Sequence, residues 1–88
     1  MWSDSPMVEA IVLMKIVGGT AEGLGWAKTV KKEIANTPGV VEVWGVFGGY
    51  DMVARVRAKD LEDLTTVITD KLRSVPGVET SQTLLAIF

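Results

Sequence analysis

The sequence predicts an α+β domain of order β-α-β-β-α-β, a four-stranded antiparallel sheet carrying two helices on one face. Three observations lead there. The tripeptide Pro-Gly-Val occurs twice, at Pro38-Gly39-Val40 and Pro76-Gly77-Val78, and Ile34 with Leu72, Val30 with Ile68 and Met14 with Met52 keep the same 38-residue offset. Within 88 residues such a repeat implies one supersecondary unit used twice, because a solenoid needs three or more units. Apolar periodicities of roughly 2 and roughly 3.6 alternate along each unit, and the glycine pairs Gly18-Gly19 and Gly48-Gly49 or the Pro-Gly turns separate the segments.

The first strand is expected over 7–17, with Ala10, Val12, Met14 and Ile16 on one side and Ile11, Leu13 and Lys15 on the other. A helix follows from about Ala21, with Ala27, Val30 and Ile34 on its apolar side. Thr37 precedes a proline and so disfavours the α region, which ends the helix near Asn36, itself a candidate left-handed cap. Strand two runs over 40–47, setting Val41, Val43, Gly45 and Phe47 against Val40, Glu42, Trp44 and Val46. Strand three, over 51–58, sets Met52, Ala54, Val56 and Ala58 against Val53, Arg55 and Arg57. Asp60 is a good N-cap, and Leu61, Leu64, Val67, Ile68, Leu72 and Val75 form the stripe of the second helix. Strand four, over 78–88, sets Leu84, Ala86 and Phe88 against Thr83, Leu85 and Ile87. With right-handed crossovers this order gives the ferredoxin-like arrangement.

Residues 1–6 read as a short tail and 7–88 as a single domain with no DNA-binding unit of its own. The composition excludes much chemistry. With no cysteine and no histidine, the chain lacks a thiolate nucleophile, Cys-based metal sites and the commonest general base and metal ligand. No catalytic residue, metal site or cofactor is therefore expected. A net charge of −2 argues against direct nucleic-acid binding, and Lys28, Lys31 and Lys32 read as a solvated helix face. Residues 1–7 lack a basic segment followed by an apolar run, and no stretch approaches the roughly 20 apolar residues that span a bilayer, so a cytoplasmic protein without membrane contact is expected.

The helices are expected to cover Val12, Met14, Ile16, Val41, Val43, Met52, Ala54, Val56, Leu84 and Ala86. The other face would carry Ile11, Leu13, Trp44, Val46, Val53, Leu85 and Ile87 among Lys15, Glu42, Arg55 and Arg57. An apolar patch on the order of 500 Å² is at the upper end of what monomers expose, so two sheets are expected to stack through Ile11, Leu13, Trp44, Val46, Val53, Arg55 and Leu85, with charges pairing across or around the edge.

Phe47-Gly48-Gly49-Tyr50-Asp51 is where consecutive glycines, an aromatic and a carboxylate meet. Glycine amides can converge on an anion while Asp51 accepts from an ammonium, which fits a zwitterion such as an amino acid. The plainer reading is a hairpin turn with Tyr50 at an edge and Asp51 accepting from turn amides. Asp60, Glu62 and Asp63 read as helix-capping groups, Trp26 and Trp44 as core or interface residues, and 80–83 as an edge strand.

The chain also resembles a known family over 7–87. The resemblance is carried by Pro38-Gly39-Val40-Val41-Glu42-Val43, by Gly48-Gly49-Tyr50-Asp51-Met52-Val53, by Val56-Arg57-Ala58-Lys59-Asp60-Leu61-Glu62-Asp63-Leu64, and by Lys71-Leu72-Arg73-Ser74-Val75-Pro76-Gly77-Val78 with Ser81 and Thr83. In their order and spacing these segments are similar to the effector-binding (RAM) domain of the Lrp/AsnC feast/famine transcriptional regulators. That resemblance implies a non-enzymatic module that dimerises, assembles into octameric or similar rings, and holds an amino-acid effector between dimers. It places the binding loop on Gly48, Gly49, Tyr50 and Asp51 and the strand-four contacts on Ser81, Gln82 and Thr83 of an adjoining subunit. It also implies a full-length regulator as partner. The family commonly has Thr before the loop glycine and a polar residue after it, where this chain has Phe47 and Gly49. Two other functions share the topology: an ACT-like regulatory domain beside an enzyme, and a small dimeric cofactor-free monooxygenase. A deep closed pocket between sheet and helices would favour the enzyme.

Overall fold

The computed structural model describes residues 7–18 and 24–87. Strand β1 (Val8–Ile16), helix α1 (Leu24–Ala35), strands β2 (Val40–Gly45) and β3 (Met52–Ala58), helix α2 (Leu61–Thr66) and strand β4 (Val78–Leu85) follow one another as the repeat requires. Helix α2 continues through a wider π turn, Val67–Lys71, and a tight turn, Leu72–Ser74. The sheet order is β2-β3-β1-β4 with antiparallel neighbours throughout, so the two central strands β1 and β3 hold the molecule together. The start expected for α1 near Ala21 lies outside the described residues, as does Phe88.

Alternation on the central strands follows the sequence. Ala10, Val12, Met14 and Ile16 of β1 and Met52, Ala54, Val56 and Ala58 of β3 are buried under Val30 and Ile34 of α1 and Leu64, Val67, Ile68 and Leu72 of the second helical segment. Asp60 caps α2 as expected, its Oδ1 accepting from the Asp63 N–H at 2.7 Å. Leu61, in contrast, leaves the apolar stripe and is 57% exposed. The strands are also shorter than the apolar runs: β2 stops at Gly45 rather than Phe47, and β4 at Leu85.

The two Pro-Gly-Val turns are built alike. Val40 N–H donates to Thr37 O and Val78 N–H to Val75 O, each at 3.1 Å. The left-handed position is Gly39 (φ +98°) or Gly77 (φ +103°), not Asn36, since no described non-glycine residue has positive φ. Both glycines are also pressed against helices. A Cβ at Gly77 would lie 2.7 Å from Val30 Cγ2 and 2.9 Å from Trp26 Cζ2, and one at Gly39 would lie 3.2 Å from Val67 Cγ2. Each half of the chain thus seats its turn on the helix of the other half.

The outer strands depart from simple alternation, and the repeat extends to the departure. In β2 the register passes from Val40 opposite Val56 to Glu42 opposite Arg55, leaving Val41 as an extra residue. In β4 it passes from Val78 opposite Ile16 to Thr80 opposite Lys15, leaving Glu79 extra. A β-bulge puts two residues against one and shifts the phase of side-chain alternation. Val41, expected on the covered face, is therefore 42% exposed, while Val40 and Val43 pack against the core. The expected faces of β4 are likewise reversed. Leu85 lies opposite buried Ala10 on the helix side, and Leu84 lies opposite Ile11 on the open side. Leu85 is thus removed from the expected sheet-face interface, and Leu84 takes its place.

Candidate functional site

The junction between the halves is a hairpin closed by the Val46 N–H on Asp51 O at 2.9 Å. Within it Gly48 takes φ +138°, and nothing lies within 4 Å of where a Cβ would stand on either Gly48 or Gly49. Phe47 is 92% exposed. The subunit itself therefore leaves the glycine segment uncovered.

The two residues that follow the glycines are both anchored. The Asp51 N–H donates to Met14 O at 2.9 Å, and Asp51 Oδ2 accepts from the Ile16 N–H, also at 2.9 Å. Asp51 thereby extends the β1–β3 ladder with a side-chain oxygen at the point where β1 ends. Each carboxylate oxygen can accept more than one hydrogen bond, so Asp51 retains acceptor capacity beyond this contact. On the other side the Tyr50 hydroxyl donates to Gln82 Oε1 at 2.5 Å. Since β1 lies between β3 and β4, this bond reaches over the central strand to the edge.

The fold thus joins Tyr50, next to Gly48-Gly49, to Gln82 and ties the neighbouring Asp51 to the end of β1. It does not bring Ser81 and Thr83 to the same side. Ser81 lies opposite Met14 and Thr83 opposite Val12, which turns both towards the helices, whereas Gln82 lies opposite Leu13 on the open face. Within one subunit Ser81 and Thr83 therefore lie across the sheet from Gln82.

The open face carries Ile11, Leu13, Trp44, Val53 and Leu84, with Val46 following at the end of β2. On this face Glu9, Glu42, Arg55 and Arg57 pair within the subunit rather than waiting for a partner. Arg55 Nη2 lies 2.9 Å from Glu42 Oε1, Arg55 Nε 3.6 Å from Glu9 Oε1, and Arg57 Nη2 3.5 Å from Glu9 Oε2. Exposed pairs of this kind contribute little to stability, about 0–1 kcal/mol each. Their effect here is to leave the apolar part of the face without free charge at its centre.

Between α2 and β4 the structure has an open groove of about 210 Å³, where Leu61, Leu64, Ile68 and Leu85 meet Thr69 and Thr83. Its lining holds no ionisable side chain, which gives acid–base chemistry nothing to work with. Strict alternation hid this groove, because it placed Leu85 and Thr83 on the opposite face. Among the described residues no group of three or more His, Cys, Asp or Glu could hold a metal ion, and no helix is long and apolar enough to cross a membrane.

Comparison with known proteins decides the family. The model of the Lrp/AsnC ligand binding domain matches residues 9–87. The chain belongs to that family. Among curated relatives, the HTH-type transcriptional regulator FL11 of Pyrococcus horikoshii is 33% identical over 78 residues, covering 89% of this chain and 47% of the regulator. The chain thus spans about half the length of such Lrp/AsnC relatives. A homocitrate synthase of Sulfurisphaera tokodaii is 31% identical over 80 residues, covering 91% of this chain and 16% of the enzyme. Among solved structures, TTHA0845 from Thermus thermophilus superposes with a TM-score of 0.78 at 40% identity, covering 92% of this chain and 94% of that one. The regulator NMB0573 of Neisseria meningitidis, solved in complex with L-Met, has a TM-score of 0.74 at 18% identity, covering 99% of this chain and 54% of that one, and shares the fold.

Proposed function

We propose that this Lrp/AsnC ligand-binding domain is an amino-acid-sensing and assembly module acting on a DNA-binding regulator of its family. The observation that carries the reading is the uncovered Gly48-Gly49 segment followed directly by two anchored residues, Tyr50 on Gln82 and Asp51 on Ile16. These two anchors and the Val46–Asp51 hydrogen bond that closes the hairpin pre-organise the loop, which lowers the ordering cost of ligand binding. The amides around Gly48 and Gly49 take the effector carboxylate, and the acceptor capacity left on Asp51 takes its ammonium. Ser81 and Thr83 of a neighbouring copy close the site from outside. The complex of NMB0573 with L-Met supports an amino acid as the ligand class.

Assembly follows from the open face. Ile11, Leu13, Trp44, Val46, Val53 and Leu84 form a surface on which Arg55 and Arg57 are already paired with Glu9 and Glu42, and stacking two such faces buries it without stranding those four charges. Dimers made in this way present their loops to further dimers, where effector binding and ring assembly become linked.

Native mass spectrometry with and without a mixture of the twenty amino acids reads ligand mass and assembly together. The expected result is a ligand-bearing oligomer, with Asp51→Asn keeping the Ile16 contact but losing the ligand. A dimer or larger assembly that binds none of the twenty would refute sensing, and a monomer at micromolar concentration would refute assembly. The homocitrate synthase match favours a second reading, in which the same module regulates an enzyme. An effector-dependent change in an enzyme's activity, with no change in regulator–DNA binding, would select it.

A further inference from the structure

The outer edge of β4 has the properties of a pairing surface. Ala86 donates its N–H to Glu9 O at 3.0 Å, and Ile11 opposes Leu84 while Leu13 opposes Gln82. Ladder alternation then turns the amides of Gln82, Leu84 and Ala86 towards β1 and those of Ser81, Thr83 and Leu85 outward. Among the described residues no strand pairs with that outward row.

Edge strands in natural proteins are usually blunted by lysine, proline, a bulge or a covering element. The opposite edge, β2, has its bulge at Val41 followed directly by Glu42, and it ends at Gly45. The bulge and the only charge of β4 both sit near its start, at Glu79, and residues 80–87 contain no charge, proline or glycine. Leu84 and Leu85 are 46% and 44% exposed on the two faces of this edge, with Leu61 of α2 beside it.

We propose that this edge is a second self-association surface, to which β4 of another copy adds in antiparallel fashion with the two-fold axis at Thr83. The proposal goes beyond the sheet-face contact and does not depend on it. The pattern of the strand argues for a second copy as the occupant. Centred at Thr83, the uncharged run pairs with itself: Ser81 faces Leu85, Gln82 faces Leu84, Thr80 faces Ala86, and Glu79 meets Ile87 at either end. No like charges oppose each other, and a β-branched pair lies at the centre. The residues with outward amides, 81, 83 and 85, are the ones this register sets against one another, so it forms hydrogen bonds without adjustment. It also puts the helix-side residues of both copies on one side. Leu61 and Leu85 of each copy then fill the trough between the two α2 helices. Two different isologous contacts, one on the face and one on the edge, allow assemblies larger than a dimer.

The natural chain has no cysteine, so Thr83→Cys introduces a single thiol per subunit. At the two-fold of an antiparallel pair the Cα atoms are about 5.5 Å apart, within the roughly 4.4–6.8 Å that a disulfide spans. Under mild oxidation at micromolar concentration, Thr83→Cys is expected to give mostly disulfide-linked dimer and Thr80→Cys almost none. Thr83 points to the helix side, so stacking of the open faces cannot produce this cross-link. It should therefore persist in Trp44→Arg, which disrupts the open face. In the second variant, Thr83→Pro, an outward amide is removed while the β1 ladder is kept, and the largest assembly in native mass spectra should fall by half. Equal cross-linking at 80 and 83, or an unchanged mass distribution in a folded Thr83→Pro variant, overturns the proposal, even where the face-to-face dimer is intact.

Discussion

Replacing Gly77 with alanine isolates what the paired turns do for the fold. Gly77 holds φ +103°, and a Cβ there would sit 2.7 Å from Val30 Cγ2 and 2.9 Å from Trp26 Cζ2. Neither neighbour yields easily, because Val30 is 1% exposed and the Trp26 indole is tied by Nε1 to Val17 O at 3.0 Å. The left-handed conformation costs an alanine about 1–2 kcal/mol, and overpacking adds about 1–3 kcal/mol. Lower entropy of the unfolded chain returns about 0.4–1 kcal/mol. The net loss is about 2–4 kcal/mol, which in a domain of this size lowers Tm by roughly 10–25 °C. Gly39→Ala is the internal control: its φ is +98°, but its nearest contact is the Val67 side chain at 3.2 Å, so it carries mainly the conformational part, about 1–2 kcal/mol. Gly49→Ala, with negative φ and open space around it, should stay within about 0.5 kcal/mol of the parent. Urea unfolding of the three variants at one protein concentration, without ligand, orders them. If Gly77→Ala and Gly39→Ala are equally destabilised, the close approach to α1 is not the cause, and if Gly39→Ala is neutral the backbone argument fails as well.

Other outcomes follow from single contacts. Asp51→Ala leaves the Ile16 N–H without its acceptor and should lose about 1–3 kcal/mol in urea unfolding, whereas Asp51→Asn keeps an acceptor oxygen and should lose less than half as much. Asp60→Ala removes the N-cap of α2 and should cost about 1 kcal/mol by the same assay, with Asp60→Asn nearly silent. Tyr50→Phe deletes an exposed hydrogen bond to Gln82, so stability should change by less than about 1 kcal/mol while calorimetry records weaker effector binding as the loop loses an anchor.

The central strands and the helix stripe were legible because their signals are local and periodic. Met14 and Met52, Val30 and Ile68, and Ile34 and Leu72 repeat at the 38-residue offset and all enter one core. The loop was legible from its adjacent glycines. The second role of Asp51 was not, since its partner Ile16 lies 35 residues away and is met only once β1 and β3 are paired. The faces of β4 were misread for another reason: alternation counted from Val78 is sound until an extra residue intervenes, and Glu79 carries no sequence mark of a bulge. Leu61 was misread because helical periodicity identifies a stripe but not how far the sheet extends beneath it.

The bulges at Val41 and Glu79, equivalent residues of the two halves, set the rules for insertion and deletion in the outer strands. Removing either residue would turn two-against-one into one-against-one and leave every flanking side chain on its present face. Removing a residue farther along, such as Gln82, would carry Leu84 and Leu85 through the sheet to opposite sides and exchange groove for open face in one step. Length variation among relatives should therefore collect at these two positions, and strand-four residues aligned across a gap elsewhere do not share a role.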